Sequence, residues 1–302
     1  MLLLYTRRRA VNIFTLLLLF AVFANGQAGR RVVPSKERAM LLNVTAKRAD
    51  GSDKPVQAAE VALYDDGVEQ RIQNFSFDPS PARLVLLVDN SQTLRTDAAK
   101  LALAAREFAY EIYEGDQILT IAYDEAPEVV HDWTDSAKTI EDSFKLFRKK
   151  GEPRLLDGFD AVIDQALRPL NGANRKLAVI LITDGLDRDS KKKFPDLLAE
   201  LQRLDITVYA LQLPDRTGGA LRRDVPKPAK VLQQLTEGTG GHIFPIAEAR
   251  EAASSICDEL RKHRYVLSYT PSNPAFIDPH RLLIVGNTEG LDLRYKSQQP
   301  AK

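Results

Sequence analysis

Positions 84–88 form an unbroken aliphatic run, and the chain then places an oxygen-bearing side chain at every second position: Asp89, Ser91 and Thr93. An apolar run with no polar alternation predicts a strand buried on both faces, as in a parallel sheet. A second run of this kind spans 177–182 and leads to Asp184 and Gly185. Around these two strands the hydrophobic period switches repeatedly between strand-like and helix-like. Helical spacing follows Thr96 and Asp97 through Leu101, Ala105, Phe108 and Ile112, and recurs over 136–148, 155–170, 191–204, 229–237 and 248–262. Strands are predicted at 117–123 and 207–213, with a short edge strand at 128–133. Such βαβα alternation implies an α/β fold with a doubly wound, Rossmann-like parallel sheet.

Both flanks of this region are strand-like. Segments 40–46, 61–64 and 71–77 precede it, with Asp65, Asp66 and Gly67 as a hairpin signal. Segments 265–270, 282–285 and 291–295 follow it. A short β-rich stretch is marginal alone, so the two flanks are expected to build one accessory sheet together, with 296–302 frayed. The expected division is a signal peptide over 1–26, a β-rich segment over 27–81, the α/β domain over 82–262 and a β-rich segment over 263–302.

The signal peptide is read from Arg7, Arg8 and Arg9, the apolar stretch 11–24, and small residues at Ala24, Gly26 and Ala28. That stretch is shorter than the roughly 20 residues a spanning helix needs. A secreted or periplasmic protein is therefore expected, with membrane contact only through this segment if it stays uncleaved. Composition is that of a globular protein, 44% hydrophobic and 27% charged, and the formal charge of +1 gives no basic surplus for nucleic acid. The single cysteine, Cys257, lies among Ala252, Ala253, Ile256 and Leu260, which marks a small core residue rather than a nucleophile.

Asp89 and Asp184 end two sheet-interior strands, and ligands bind beyond the carboxyl ends of such strands. Two carboxylates with the hydroxyls of Ser91 and Thr93 form a hard-oxygen set suited to Mg²⁺ or another divalent cation, with a position left for a partner's carboxylate. No general base accompanies them, which points to binding rather than catalysis. Asp187 and Asp189 read as solvent-facing loop residues. His131, His242, His263 and His280 show no zinc-ligand spacing. Trp133 reads as a packing residue. The long 214–228 loop leaves a strand at the same sheet edge as Asp89 and Asp184, where it either shapes a partner surface or is a variable surface loop.

The run Asp89, Asn90, Ser91, Gln92 and Thr93 resembles the Asp-x-Ser-x-Ser motif of von Willebrand factor type A domains, and 181–185 resembles that family's second Asp motif. Segments 63–75 and 265–271 resemble an exported bacterial subgroup. The resemblance covers residues 83–262. It implies a metal-ion-dependent adhesion site with Asp89, Ser91, Thr93 and Asp184 as metal ligands, and a protein partner. One departure stands out: Pro153 falls where the family places a threonine ligand, and Asp157 falls on the family's helix aspartate. As a helix-start carboxylate, Asp157 is expected to accept backbone N–H groups. An exported adhesion-type module, with or without its cation, is thus the expected function, with a metal-free scaffold for protein assembly as the alternative. A Mg²⁺-dependent aspartyl phosphatase is a weaker third, because the position two residues after Asp89, which needs a general acid, holds Ser91.

Overall fold

The computed structural model describes residues 39–147, 150–170, 176–217, 227–273 and 278–300. The expected signal peptide at 1–26 lies outside them. Among the described residues no helix is long and apolar enough to cross a membrane.

The elements in chain order are β1 (Met40–Arg48), β2 (Val61–Asp65), β3 (Val68–Gln70), β4 (Ile72–Phe77), β5 (Arg83–Asp89), α1 (Ala98–Glu111), β6 (Gln117–Tyr123), β7 (Pro127–Thr134) and α2 (Ala137–Ser143). They continue with α3 (Leu155–Val162), β8 (Leu177–Thr183), α4 (Phe194–Arg203), β9 (Thr207–Gln212), α5 (Pro228–Thr239), β10 (Ile243–Pro245), α6 (Ala249–Lys262), β11 (Arg264–Tyr269), β12 (His280–Gly286), β13 (Leu291–Tyr295) and β14 (Gln298–Gln299).

The central sheet has the order β10-β9-β8-β5-β6-β7. All its pairings are parallel except that of the edge strand β7 with β6. Alternate side chains of β5 explain why its run had to be apolar throughout. Leu84, Leu86 and Val88 pack under α1, α2 and α6 with Phe108, Ile140 and Ile256. Val85 and Leu87 pack on the opposite layer of α3, α4 and α5 with Phe159, Leu201 and Leu235. Capping begins the first two helices as expected, with Asp97 accepting from Lys100 N at 2.8 Å and Ser136 from Thr139 N at 3.3 Å. Chain order reverses beside β5, so the crevice between the carboxyl ends of β5 and β8 is the topological switch point.

The flanks form two sheets rather than one, β13-β1-β11-β4 and β14-β12-β2-β3, and each mixes strands from both ends of the chain. Alternating burial along β2 and β12 gives that sheet one apolar face. That face closes a shared core in which Leu42, Val44, Leu63, Leu267, Tyr269 and Ile284 meet. Cys257 lies in the central core, as expected, and burial pushes its thiol well above the ordinary range.

The tail from 296 to 300 is docked, contrary to the expected fraying. Lys296 is buried and donates to Gln202 O at 2.8 Å, and β14 pairs with β12. A further buried knot ties the flanks to the α/β layer. Glu259 accepts from Thr45 Oγ1 at 2.7 Å, from the Tyr209 hydroxyl, and from Arg294.

Candidate functional site

The four residues expected as ligands converge at the switch point. Asp89 ends β5 and Asp184 directly follows β8, and these strands pair in register up to Val88 opposite Ile182. Both carboxylates therefore emerge at one edge. Asp89 Oδ1 accepts from Ser91 N at 2.9 Å and from Ser91 Oγ at 2.6 Å, an Asx-type turn that folds Ser91 back over the strand end. Behind them Thr183 Oγ1 donates to Asp89 Oδ2 at 3.1 Å and itself accepts from the Tyr123 hydroxyl at 2.9 Å. Asp89, Ser91 and Asp184 are essentially inaccessible, at 0%, 0% and 1% exposure.

The centre of this cage is filled by the guanidinium of Arg216, from the loop after β9. Its Nε donates to Asp184 Oδ2 at 2.7 Å, and one terminal nitrogen donates to Asp184 Oδ1 at 2.8 Å and to Asp89 Oδ2. The other terminal nitrogen donates to Ser91 Oγ at 2.7 Å and Thr93 Oγ1 at 3.0 Å. Arg216 N adds a bond to Asp184 Oδ2 at 3.1 Å. A guanidinium carries five N–H donors, and the four expected ligands take all of them. Burial alone would lower the pKa of Arg216, but the hydrogen bonds of Asp184 and the charge of Asp89 outweigh it, so the net shift is upward and the cation is permanent. Burial, with the charge of Asp89, likewise keeps the Tyr123 phenol protonated.

With Arg216 in place the cage does not fit a divalent ion. The oxygens that would coordinate it already accept from one planar cation, and no coordination position remains for a partner's carboxylate. The chemistry available is charge neutralisation and loop anchoring: one guanidinium between two buried carboxylates, with the fork-to-fork geometry on Asp184 that arginine favours.

The α3 side of the crevice also differs from expectation. Pro153 offers its carbonyl, which accepts from Arg188 N at 2.7 Å. Asp157 accepts from Lys191 N and Lys192 N, each at 2.9 Å, instead of from its own helix start. The α3 start is bonded from outside by Asp187, whose Oδ1 accepts from Leu156 N at 3.1 Å and from Ser190 Oγ at 2.6 Å. Asp187 is thus half-buried rather than solvent-facing, and burial raises its pKa. The two acids exchange places because each satisfies the backbone of the other's loop.

A second group of ligand type lies in the accessory sheets. Asp65, Asp66 and His280 each present a ligand atom, and these atoms lie within 4.8 Å of one another. His280 Nδ1 is 2.6 Å from Asp65 Oδ1, Nε2 is 3.6 Å from Asp66 Oδ2, and the Tyr269 hydroxyl donates to Asp65 Oδ2 at 3.0 Å. Sequence spacing could not show this trio, because Asp65 ends β2 and Asp66 opens its turn while His280 begins β12, and these strands pair only in the fold. Arg216 was also missed. The signal that could have found it was one basic residue just inside the long loop leaving the sheet at the edge of Asp89 and Asp184.

No family model matches the chain, and neither does any curated protein. Solved structures do. An aerotolerance-related membrane protein from Bacteroides fragilis is 16% identical over 60% of this chain and 99% of its own, with a TM-score of 0.45. Structural neighbours include a von Willebrand factor type A domain. That one, from Catenulispora acidiphila, is 12% identical over 86% of this chain and 72% of its own, with a TM-score of 0.48. Proximal thread matrix protein 1 from the mussel byssus is 15% identical with a TM-score of 0.48; the match covers 63% of this chain and about half, 49%, of the mussel protein. At such identities the likeness concerns the fold, and the reading of the crevice rests on this chain's own residues.

Proposed function

We propose that the chain is a non-enzymatic, exported protein-binding module whose adhesion-type crevice is closed by its own arginine, so that partner capture needs no divalent ion. The supporting observation is the saturation of Arg216: all five donors are spent on Asp89, Ser91, Thr93 and Asp184. The same bonds leave Asp89 unsuited to nucleophilic attack, since it also accepts from Ser91 and Thr183. Export rests on the basic and apolar pattern of residues 1–26.

Metal-stripped protein is expected to melt at the same temperature in Mg²⁺ and in EDTA. An ion selective for the folded state raises Tm, so a Mg²⁺-dependent rise that disappears in Asp89→Ala would overturn the arginine-filled reading. Crosslinking to exported proteins of the source cell is expected to give the same adducts in EDTA, and adducts that vanish there would restore a cation-bridged contact. Turnover of p-nitrophenyl phosphate that Asp89→Asn abolishes would sink the non-enzymatic part.

A second reading concerns where a cation would bind if the chain takes one. We place it between Asp66 and His280, where the Nδ1 contact to Asp65 is the orienting bond typical of a metal-ligating histidine and leaves Nε2 toward Asp66. One imidazole with one carboxylate, the rest of the shell being water, suits Zn²⁺. Zn²⁺ is expected to raise Tm of the parent and not of Asp66→Asn, a substitution at an exposed residue that keeps a side-chain oxygen for Arg281 N and suits the positive φ of 50°. An equal shift in both proteins would remove this site from consideration.

A further inference from the structure

At the end of the central sheet opposite the arginine cage lies a cleft of about 910 Å³. Its floor is made where β5, β6 and β8 begin, by Ala82, Asp116 and Lys176. Its walls come from Phe77 and Tyr265 of the accessory sheet, from Tyr113, and from the last turn of α6 with Arg261 and Lys262. Neither the sequence motifs nor the proposed function uses it.

Lys176 is the unusual group here. It is only 3% exposed, and among the described residues its ammonium makes no hydrogen bond and no ion pair; its contact is with the Phe77 ring, 5.4 Å from the centroid. Burial lowers its pKa, against the opposing charges of Asp78 and Asp116. The stem is buried while the ammonium opens on the cleft, so this cation is left without a protein counter-charge at a wall that a ligand can reach. The neighbouring acids do not serve. Asp116 is held by Ala82 N at 2.6 Å and Tyr113 N at 3.1 Å. Asp78 stays beyond ion-pair distance, with its Oδ2 buried and unpartnered. Ser80 Oγ, on the cleft wall, is also without a partner.

The other cations of the cleft are engaged. The Arg261 guanidinium lies 3.6 Å from the Tyr113 ring centroid, and Lys262 pairs with Asp258 at 2.7 Å. The lining holds three acids, Asp53, Glu114 and Asp116, against three bases, so there is no positive surplus to hold a dianion, and the attraction for a single charge is that of Lys176. A cleft of this size, with aromatic walls beside a cation that has no ion pair, can seat a small molecule.

We propose that this cleft binds a small monocarboxylate with an apolar or aromatic body, its carboxylate paired with Lys176 and Ser80 and its body laid on Phe77 and Tyr113. The test uses 2-naphthylacetate as probe, with 2-naphthylacetamide and 2-naphthyl phosphate for comparison, titrated by calorimetry into the full chain. The carboxylate is expected to bind at least tenfold more tightly than the amide or the phosphate. Lys176→Met should abolish that preference and leave Tm unchanged or raised, because it keeps the buried stem and replaces a cation that has no ion pair by an apolar end of similar length. Phe77→Ala, at a half-exposed position, should weaken carboxylate and amide alike. Equal binding of carboxylate and amide, a preference that survives Lys176→Met, tighter binding of the phosphate, or no binding at millimolar probe would each overturn the proposal.

Discussion

Arg216→Ala should melt far below the parent, and Mg²⁺ should recover part of the loss. The substitution leaves Asp89 and Asp184, both inaccessible, without a counter-charge, and it strands the oxygens of Ser91 and Thr93. Removing one partner of a buried ion pair costs about 3–5 kcal/mol. At roughly 2–4 °C per kcal/mol for a domain of this size, that is a fall of about 6–20 °C. The vacated cage then has two carboxylates and two hydroxyls around a space that a hydrated Mg²⁺ can enter, so Tm of this variant should rise with Mg²⁺ although that of the parent does not. Arg216→Lys should fall between the two, because an ammonium has three donors and cannot fork across Asp184 while reaching Ser91 and Thr93. A variant that melts with the parent would show that the arginine does not hold the cage.

Gly185→Ala should have the next largest effect. Gly185 sits at φ +89°, directly after Asp184, and a Cβ there would lie 2.5 Å from Pro228 O and 2.8 Å from Leu232 Cγ. Left-handed backbone costs about 1–2 kcal/mol in a residue with a side chain, and forcing an extra methyl into a packed interior about 1–3 kcal/mol more. The start of α5 must move away from the turn that aims Asp184 at Arg216. Differential scanning calorimetry should therefore record a fall of roughly 4–20 °C. Hydrogen exchange should accelerate at the amides of Leu186 and Arg216, which are bonded to Asp184. Gly67→Ala is the control, since Gly67 has a similar φ, +80°, but open space around it. If both glycine variants lose the same amount, the close approach of α5 is not what constrains Gly185.

Much of the fold was legible because its signals are local. The uninterrupted runs at 84–88 and 177–182 could be satisfied only by strands covered on both faces, and the structure gives each run one helix layer on either side. Asp89, Ser91, Thr93 and Asp184 could be brought together on paper because strand ends in a parallel sheet share an edge. The accessory strands were also legible singly, but not their pairing. Nothing local distinguishes one sheet from two when the partners are some two hundred residues apart, as Leu63 and Ile284 are. The exchange of Asp157 and Asp187 was hidden for a similar reason, since each carboxylate serves the backbone of another loop.

The sequence by itself determined an α/β core with an oxygen-rich crevice at one end, since periodicity and strand-end chemistry are properties of short stretches. Only the tertiary structure decided what fills that crevice. The filling group is a side chain 127 positions from Asp89, and its placement depends on how the loop after β9 crosses the sheet edge. A carboxylate pair specifies that a cation must come. Whether the cation is an ion from solution or a guanidinium from the same chain is settled by which one the folded loop delivers at no cost in translational freedom.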